Sequence, residues 1–238
     1  MASFFISIIK QDAKILAKIM QNSYNLGIVR ANIMKNVADY YNKTATGWSN
    51  DWLNEKLQSA VLQKYYDCFA RVGTYEPKIL DLGCGAGYDA KILNELGAKV
   101  VGIDLSEKLI DIAKTEVPKC KFFVGDINDP MTSLGKFDGI VCLATIIHIG
   151  ILGMKNVFKN IADVMKKGAL LIISCRDGAG KDYQKSQVEI EGDFYDQNIN
   201  DYKIEELCAF AHPELKLVDS WKFGDFDEGW RYYIFMKK

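Results

Sequence analysis

The sequence predicts a three-layer α/β/α domain, with a mostly parallel seven-stranded sheet that ends in an antiparallel strand pair and extra helices at the N-terminus. Three observations carry this. From Lys78 onward, short continuous apolar runs alternate with helical patterns, the mark of a parallel sheet buried on both faces. A glycine-rich turn separates the first such run from its helix. At the C-terminus, two strand-like runs follow one another with little between them, as antiparallel neighbours do.

Residues 1–35 read as one or two helices, with Phe4, Phe5, Ile8, Ile15, Leu16, Ile19 and Met20 near helical spacing and Gly27 as a break. A further helix follows Ser49, a suitable N-cap, and lines up Leu53, Leu57, Ala60, Val61 and Tyr65. Gly73 to Pro77 closes it. Strands are then expected at Lys78–Leu82, Lys99–Ile103, Lys121–Val124, Gly139–Leu143 and Ala169–Cys175. Helices are expected at about Tyr88–Leu96, Glu107–Thr115 and Met154–Lys166. The tail offers a helix at Asp201–Ala211 and strands at Glu214–Lys222 and Gly229–Met236. No repeat or linker divides this stretch. The expected organisation is an N-terminal helical extension, 1–35, ahead of one domain, 36–238.

Composition narrows the function. The 238 residues hold 30 Lys+Arg against 31 Asp+Glu, a net charge of −1, which argues against a surface built to neutralise nucleic-acid phosphates. Six cysteines, each at least sixteen residues from the next, form no C-x-x-C pair, and His148 and His212 are the only histidines. The sequence therefore predicts no metal site and no disulfide framework. Cysteines inside apolar runs fit a reducing cytoplasm. The apolar start is short and lacks a basic stretch before it, so no signal peptide is expected, and no run has the ~18 apolar residues of a membrane span.

The first strand runs into Asp81-Leu82-Gly83-Cys84-Gly85-Ala86-Gly87, a turn that lets a ligand approach the backbone at the carboxyl end of the sheet. Asp104 ends the second strand, where an acid grips ribose hydroxyls. A dinucleotide fingerprint would place glycine at 88, where this chain has Tyr88, and Asp81 would repel a pyrophosphate but attract an ammonium and a sulfonium. The third strand leads to Gly125-Asp126-Ile127, able to bond an adenine amine and cover its ring.

With these motifs in place, the chain resembles the class I S-adenosylmethionine (SAM) dependent methyltransferases, in their small-molecule methyltransferase-domain group. The resemblance rests on Ile79–Gly87, Val100–Ser106, Phe123–Ile127 and Phe137–Val141 leading to Ile147-His148, and covers about residues 36–238. It implies a Rossmann-like methyltransferase fold, SAM as cofactor, S-adenosylhomocysteine as product, and transfer to a small-molecule acceptor. It places Asp81, Gly83 and Gly85 along the methionine part of SAM, Asp104 on the ribose, Leu105 on the adenine, and Asp126 and Ile127 at the adenine edge and face. Leu143 and Ala144 would offer backbone to the methionine end, although relatives often carry a polar residue there. Tyr40 and Tyr41 match a tyrosine-bearing entry helix that closes over the SAM carboxylate.

His148 follows the fourth strand, on the segment that faces the transferred methyl in relatives. It reads either as a catalytic base touching substrate or as a structural histidine. Tyr41 is a second candidate base. The polar stretch Arg176–Tyr195, with Arg176 and Tyr195 as candidate substrate contacts, and the entry-region Trp48 could wall the acceptor pocket. Cys84 reads as a small turn residue. Three alternatives stand beside this reading. An RNA or protein methyltransferase is opposed by Cys142-Leu143-Ala144-Thr145, where amino-methylating enzymes carry Asn/Asp-Pro-Pro-Tyr/Phe. A dinucleotide oxidoreductase is opposed by Tyr88 and Asp81. A non-catalytic SAM-binding module is opposed by the intact motifs. The oligomer is expected to be a monomer or homodimer.

Overall fold

A computed structural model of the chain describes residues 35–45, 55–176, 184–190, 192–222 and 230–238. The helices expected within 1–34, the cap at Ser49, and Trp48 lie outside the described residues. Residues Val37–Lys238 form one compact unit.

Seven strands make one sheet, in the order β3-β2-β1-β4-β5-β9-β8. These are β1 (Lys78–Leu82), β2 (Lys99–Asp104), β3 (Lys121–Val124), β4 (Phe137–Cys142), β5 (Met165–Arg176), β8 (Leu215–Lys222) and β9 (Trp230–Lys237). β1 to β5 are mutually parallel, and β9 runs antiparallel to both neighbours. The expected antiparallel pair is present, with one refinement: β9, last in the chain, inserts between β5 and β8. The order reverses at β1 and β4, so the carboxyl ends of these two strands flank the crevice where open sheets take ligands.

Described helices are α1 (35–45), α2 (Glu55–Arg71), α3 (Tyr88–Glu95), α4 (Glu107–Glu116), α5 (Ile151–Val164) and α6 (Ile204–Phe210). α2 seats its apolar face on the sheet through Val61, Leu62, Tyr65 and Phe69, all buried. The Tyr65 hydroxyl donates towards Ile140 O (3.1 Å) and Leu170 O (2.9 Å), so its polar end is satisfied above the β4–β5 seam. Gly139 leaves the room: a Cβ there would stand 2.5 Å from Tyr65 Oη and 2.6 Å from Phe69 Cζ. α5 buries Met154, Val157, Phe158, Ile161, Ala162 and Val164. No helix among the described residues is long and apolar enough to cross a membrane.

Two segments differ from the sequence reading. Met165 and Lys166, expected at the end of a helix, begin β5, because Val164 closes the apolar helical stripe and Met165 pairs with Phe137. The stretch after β5, read only as a long polar cover, folds as a hairpin of β6 (Gln184–Ile190) and β7 (Asp193–Ile199). Its turn uses Gly192 at φ +87°, and this is a second sheet separate from the first.

Gly139→Ala should overpack the seam under α2 and cost about 1–3 kcal/mol, a fall in Tm of several degrees for a domain of this size. Gly139→Ala combined with Tyr65→Phe should recover part of the loss in thermal melts, since it removes the colliding hydroxyl.

Candidate functional site

The crevice between β1 and β4 gathers the motifs. Gly83 and Cys84 both donate their amides to Ile103 O on β2, at 2.8 and 3.0 Å, which folds the turn back over the neighbouring strand. Gly83 sits at φ +71°, and a side chain there would run into Thr145. Thr145 Oγ1 donates to Leu82 O (3.0 Å) and Leu143 O (2.9 Å), which ties the β1 and β4 turns together. Gly85, at φ +51°, faces open space: nothing lies within 4 Å of where its Cβ would be. A ligand can therefore reach this backbone.

Two carboxylates frame the turn. Asp104 Oδ2 accepts from Gly85 N–H (2.9 Å) and Oδ1 from Ser106 N–H (2.8 Å), leaving further lone pairs on each oxygen for ribose hydroxyls. Burial holds its carboxyl above the usual range, against the opposing pull of the Ser106, Gly85 and Leu105 amides. Asp81 is the sharper case. It is 1% exposed, and its Oδ2 meets no hydrogen-bond partner among the described residues. Burial, then the charges of Asp89 and Asp104, push its carboxyl well above the ordinary value, with only the Ala90 amide working the other way. A buried acceptor without a donor costs about 1–3 kcal/mol. A ligand ammonium would fill that vacancy in bonding.

The third motif is held from below. Asp126 Oδ1 accepts from Asn128 N–H and Nδ2, each at 2.8 Å, and Ile127 is buried beside it. Asn160, on α5, donates to Ile127 O (3.2 Å), Asn128 O (2.8 Å) and Asp129 O (3.1 Å). Asn160 escaped the sequence reading, although a lone amide among Val157, Phe158, Ile161 and Ala162 is a legible signal of a buried polar contact.

On the β4 side, Ala144 occupies the left-handed region at φ +52°, a conformation non-glycine residues rarely hold away from functional sites. Its N–H donates to Ser174 Oγ at 2.8 Å, and Leu143 O already accepts from Thr145. These two backbone groups, expected to face a ligand, are thus engaged within the fold.

α1 spans the crevice. Tyr41 Oη and His148 Nε2 are hydrogen-bonded at 3.0 Å, with their rings edge to face at 5.6 Å. Burial, then Tyr40 and Asp104, raise the Tyr41 phenol far above its ordinary value, so it stays protonated. Asn42 Oδ1 accepts from Ser106 Oγ (2.7 Å) and Lys108 N–H (3.2 Å), docking the same helix on the start of α4. Asn42 was not singled out in the sequence, where nothing separates it from a surface amide. Tyr40 is edge to face with Tyr41 (5.1 Å) and with Tyr195 on β7 (6.1 Å), so the hairpin does reach this cluster. Arg176 forms an ion pair with Asp201 at 3.2 Å. Cys84 is buried, and burial with nearby Asp81 and Asp104 keeps its thiol protonated, as a turn residue requires.

This order of strands, with the glycine turn after β1 and an acid closing β2, defines a class I S-adenosylmethionine-dependent methyltransferase fold. Residues 79–168 match the methyltransferase domain family. The magnesium-protoporphyrin O-methyltransferase of Rhodobacter capsulatus is 34% identical over 134 residues, covering 50% of this chain and 59% of the relative. The ubiquinone biosynthesis O-methyltransferase of Coxiella burnetii (strain Dugway 5J108-111) is 30% identical over 139 residues, 57% of each chain. The match thus spans somewhat over half the length of these relatives. Among solved structures, the magnesium protoporphyrin IX methyltransferase of Synechocystis PCC 6803 with bound SAM superposes with a TM-score of 0.66 at 16% identity, over 87% of this chain and 97% of that one.

The Asp81 electrostatics predict a trade of stability against binding. A carboxyl held protonated by burial loses stability as pH rises through its elevated value. Asp81→Asn should therefore raise the ligand-free Tm, more at about pH 8 than at about pH 5, by roughly 2–4 °C per kcal/mol relieved. A lower Tm at the higher pH would show that the carboxylate is compensated in a way the geometry does not contain.

Proposed function

We propose that this chain is a SAM-dependent methyltransferase acting on a hydroxyl-bearing small molecule in the cytoplasm, with residues 36–238 as its catalytic domain. One observation carries the cofactor reading: a buried, unpartnered Asp81 Oδ2 on the strand that leads into the turn of the open-faced Gly85. An amino-acid ammonium satisfies that oxygen, whereas a pyrophosphate would be repelled by it. The two O-methyltransferase relatives favour oxygen as the acceptor atom. Six unpaired cysteines favour a reducing compartment.

In this reading Asp81 holds the ammonium, Gly83 and Gly85 admit the methionine chain, and Asp104 takes the ribose hydroxyls. Leu105 and Ile127 cover the adenine, with Asp126 at its edge and the Leu143–Ala144 turn beside the methionine end. SAM supplies a methyl already activated by its sulfonium, so the protein's work is alignment and exclusion of water. Tyr41 and Tyr40 close the crevice from α1. His148 Nε2 receives the acceptor's hydroxyl proton as the oxygen attacks, and the Tyr41 hydroxyl, now 3.0 Å away, marks where that acceptor hydroxyl would stand. Tyr195, and Arg176 at the end of β5, border the acceptor.

Calorimetry with SAM tests the cofactor, and the pH dependence tests Asp81. Binding an ammonium should release a proton from Asp81, so affinity rises with pH through its elevated value and falls again above about 8, where an α-amino group deprotonates. Affinity independent of pH over that range would overturn the Asp81 assignment. Asp104→Ala should weaken SAM about ten- to hundredfold. With an acceptor found by screening for S-adenosylhomocysteine release, His148→Ala should lower kcat about 10²–10⁴-fold while leaving SAM affinity in place.

A further inference from the structure

We infer that Asn200 and Tyr202 are positioning residues that fix His148 from outside the cofactor framework, an inference that rests on His148 being the proton acceptor. His148 lies on a short 3₁₀ turn, Ile146–His148, with no long element to hold it. Its own N–H donates to Thr145 O at 3.1 Å. The preceding carbonyl, Ile147 O, takes two donors from one residue: Asn200 N–H and Asn200 Nδ2, each at 2.8 Å. The peptide plane entering His148 is thus anchored at both ends. On the far side, the carbonyl of Ile149 accepts from the Tyr202 hydroxyl. Asn200 and Tyr202 are buried, 6% and 1% exposed, so these bonds are shielded from exchange with water. Tyr202 is itself tied to the sheet, its N–H donating to Arg176 O at 3.2 Å.

The consequence for function comes from where this strap sits. Asn200 directly follows β7, whose Tyr195 packs against Tyr40. The hairpin that borders the acceptor and the turn that carries the base are therefore one mechanical piece. None of these bonds touches the glycine turn, Asp104 or the Asp126 loop. Loosening the strap should misplace the base while leaving cofactor binding alone, and a misplacement of about 1 Å can cost about a hundredfold in rate.

The test uses Asn200→Asp, which keeps the shape but removes the side-chain donor to Ile147 O, and Tyr202→Phe, which removes only the hydroxyl. Two readouts are needed. Because the chain has only two histidines, a ¹⁵N-histidine ring spectrum contains two spin systems, and a His212→Ala spectrum assigns them. The expected result is a displaced Nε2 resonance for His148 in both variants, an unmoved His212, and a SAM Kd within about twofold of the parent. On any acceptor that turns over, kcat should fall at least tenfold with the KM for SAM held. Should either variant fail to fold, the other still decides. Unmoved His148 resonances in a folded variant overturn the strap. Absence of SAM binding in the parent would instead sink the methyltransferase reading, while the spectral shift would still report the strap.

Discussion

One buried acid organises the crevice. Asp81, next to the end of the central strand β1, carries a carboxyl that is shut from water and short of a partner on one oxygen. Two further acids, Asp89 and Asp104, raise its cost. The surrounding fold could relieve that cost with a lysine or arginine, and among the described residues it offers only the Ala90 amide. Without a bound cation the carboxyl is relieved by keeping its proton, and in the proposed reading a ligand ammonium takes that proton's place. That constraint explains the turn: its glycines are required by left-handed backbone and by close approach to Thr145, and Asp104 holds Gly85 in place from β2.

The rest of the site is arranged as two banks joined by α1. The β2 bank presents Asp104, Ser106 and the start of α4; the β4 bank presents the Ala144–His148 turn. Adjacent residues of α1 bond one bank each, Asn42 to Ser106 and Tyr41 to His148. α1 thereby joins the two banks across the crevice. In the proposed reading an acceptor hydroxyl competes with Tyr41 for the same His148 nitrogen.

Much of this was legible in the chain. Strands β1 to β3 and the helices after β1 and β2 fall within a residue of expectation because each is a patterned apolar run bounded by a cap or glycine, as Ser106 caps α4. Asp81 and Asp104 stand out in the sequence because an acid falls near the end of each apolar run, and Tyr41 stands out only through the resemblance of its segment to an entry helix. The β6–β7 hairpin was not, because its strands are polar, lack the alternation of a half-buried sheet, and take their form from each other. Asn42 and Asn200 were hidden for a different reason. An amide is informative only with its partner, and theirs stand 64 and 53 positions away in sequence.

The boundary of the family match has a physical meaning. It ends at residue 168, four residues into β5, before the hairpin, the strap and the antiparallel strands. The residues proposed to hold the cofactor lie inside it, apart from α1; of those proposed to border the acceptor, His148 lies inside and Arg176 and Tyr195 outside. A ligand common to many enzymes can be held by one backbone geometry, so the residues serving it recur as a recognisable pattern. In the proposed reading the acceptor is met by side chains on the β6–β7 hairpin, which lies beyond the matched residues. The strap from Asn200 to Ile147 is where the two halves are bonded together. It ties the wall proposed to border the acceptor to the turn that carries His148, through bonds that involve none of the residues proposed to hold the cofactor.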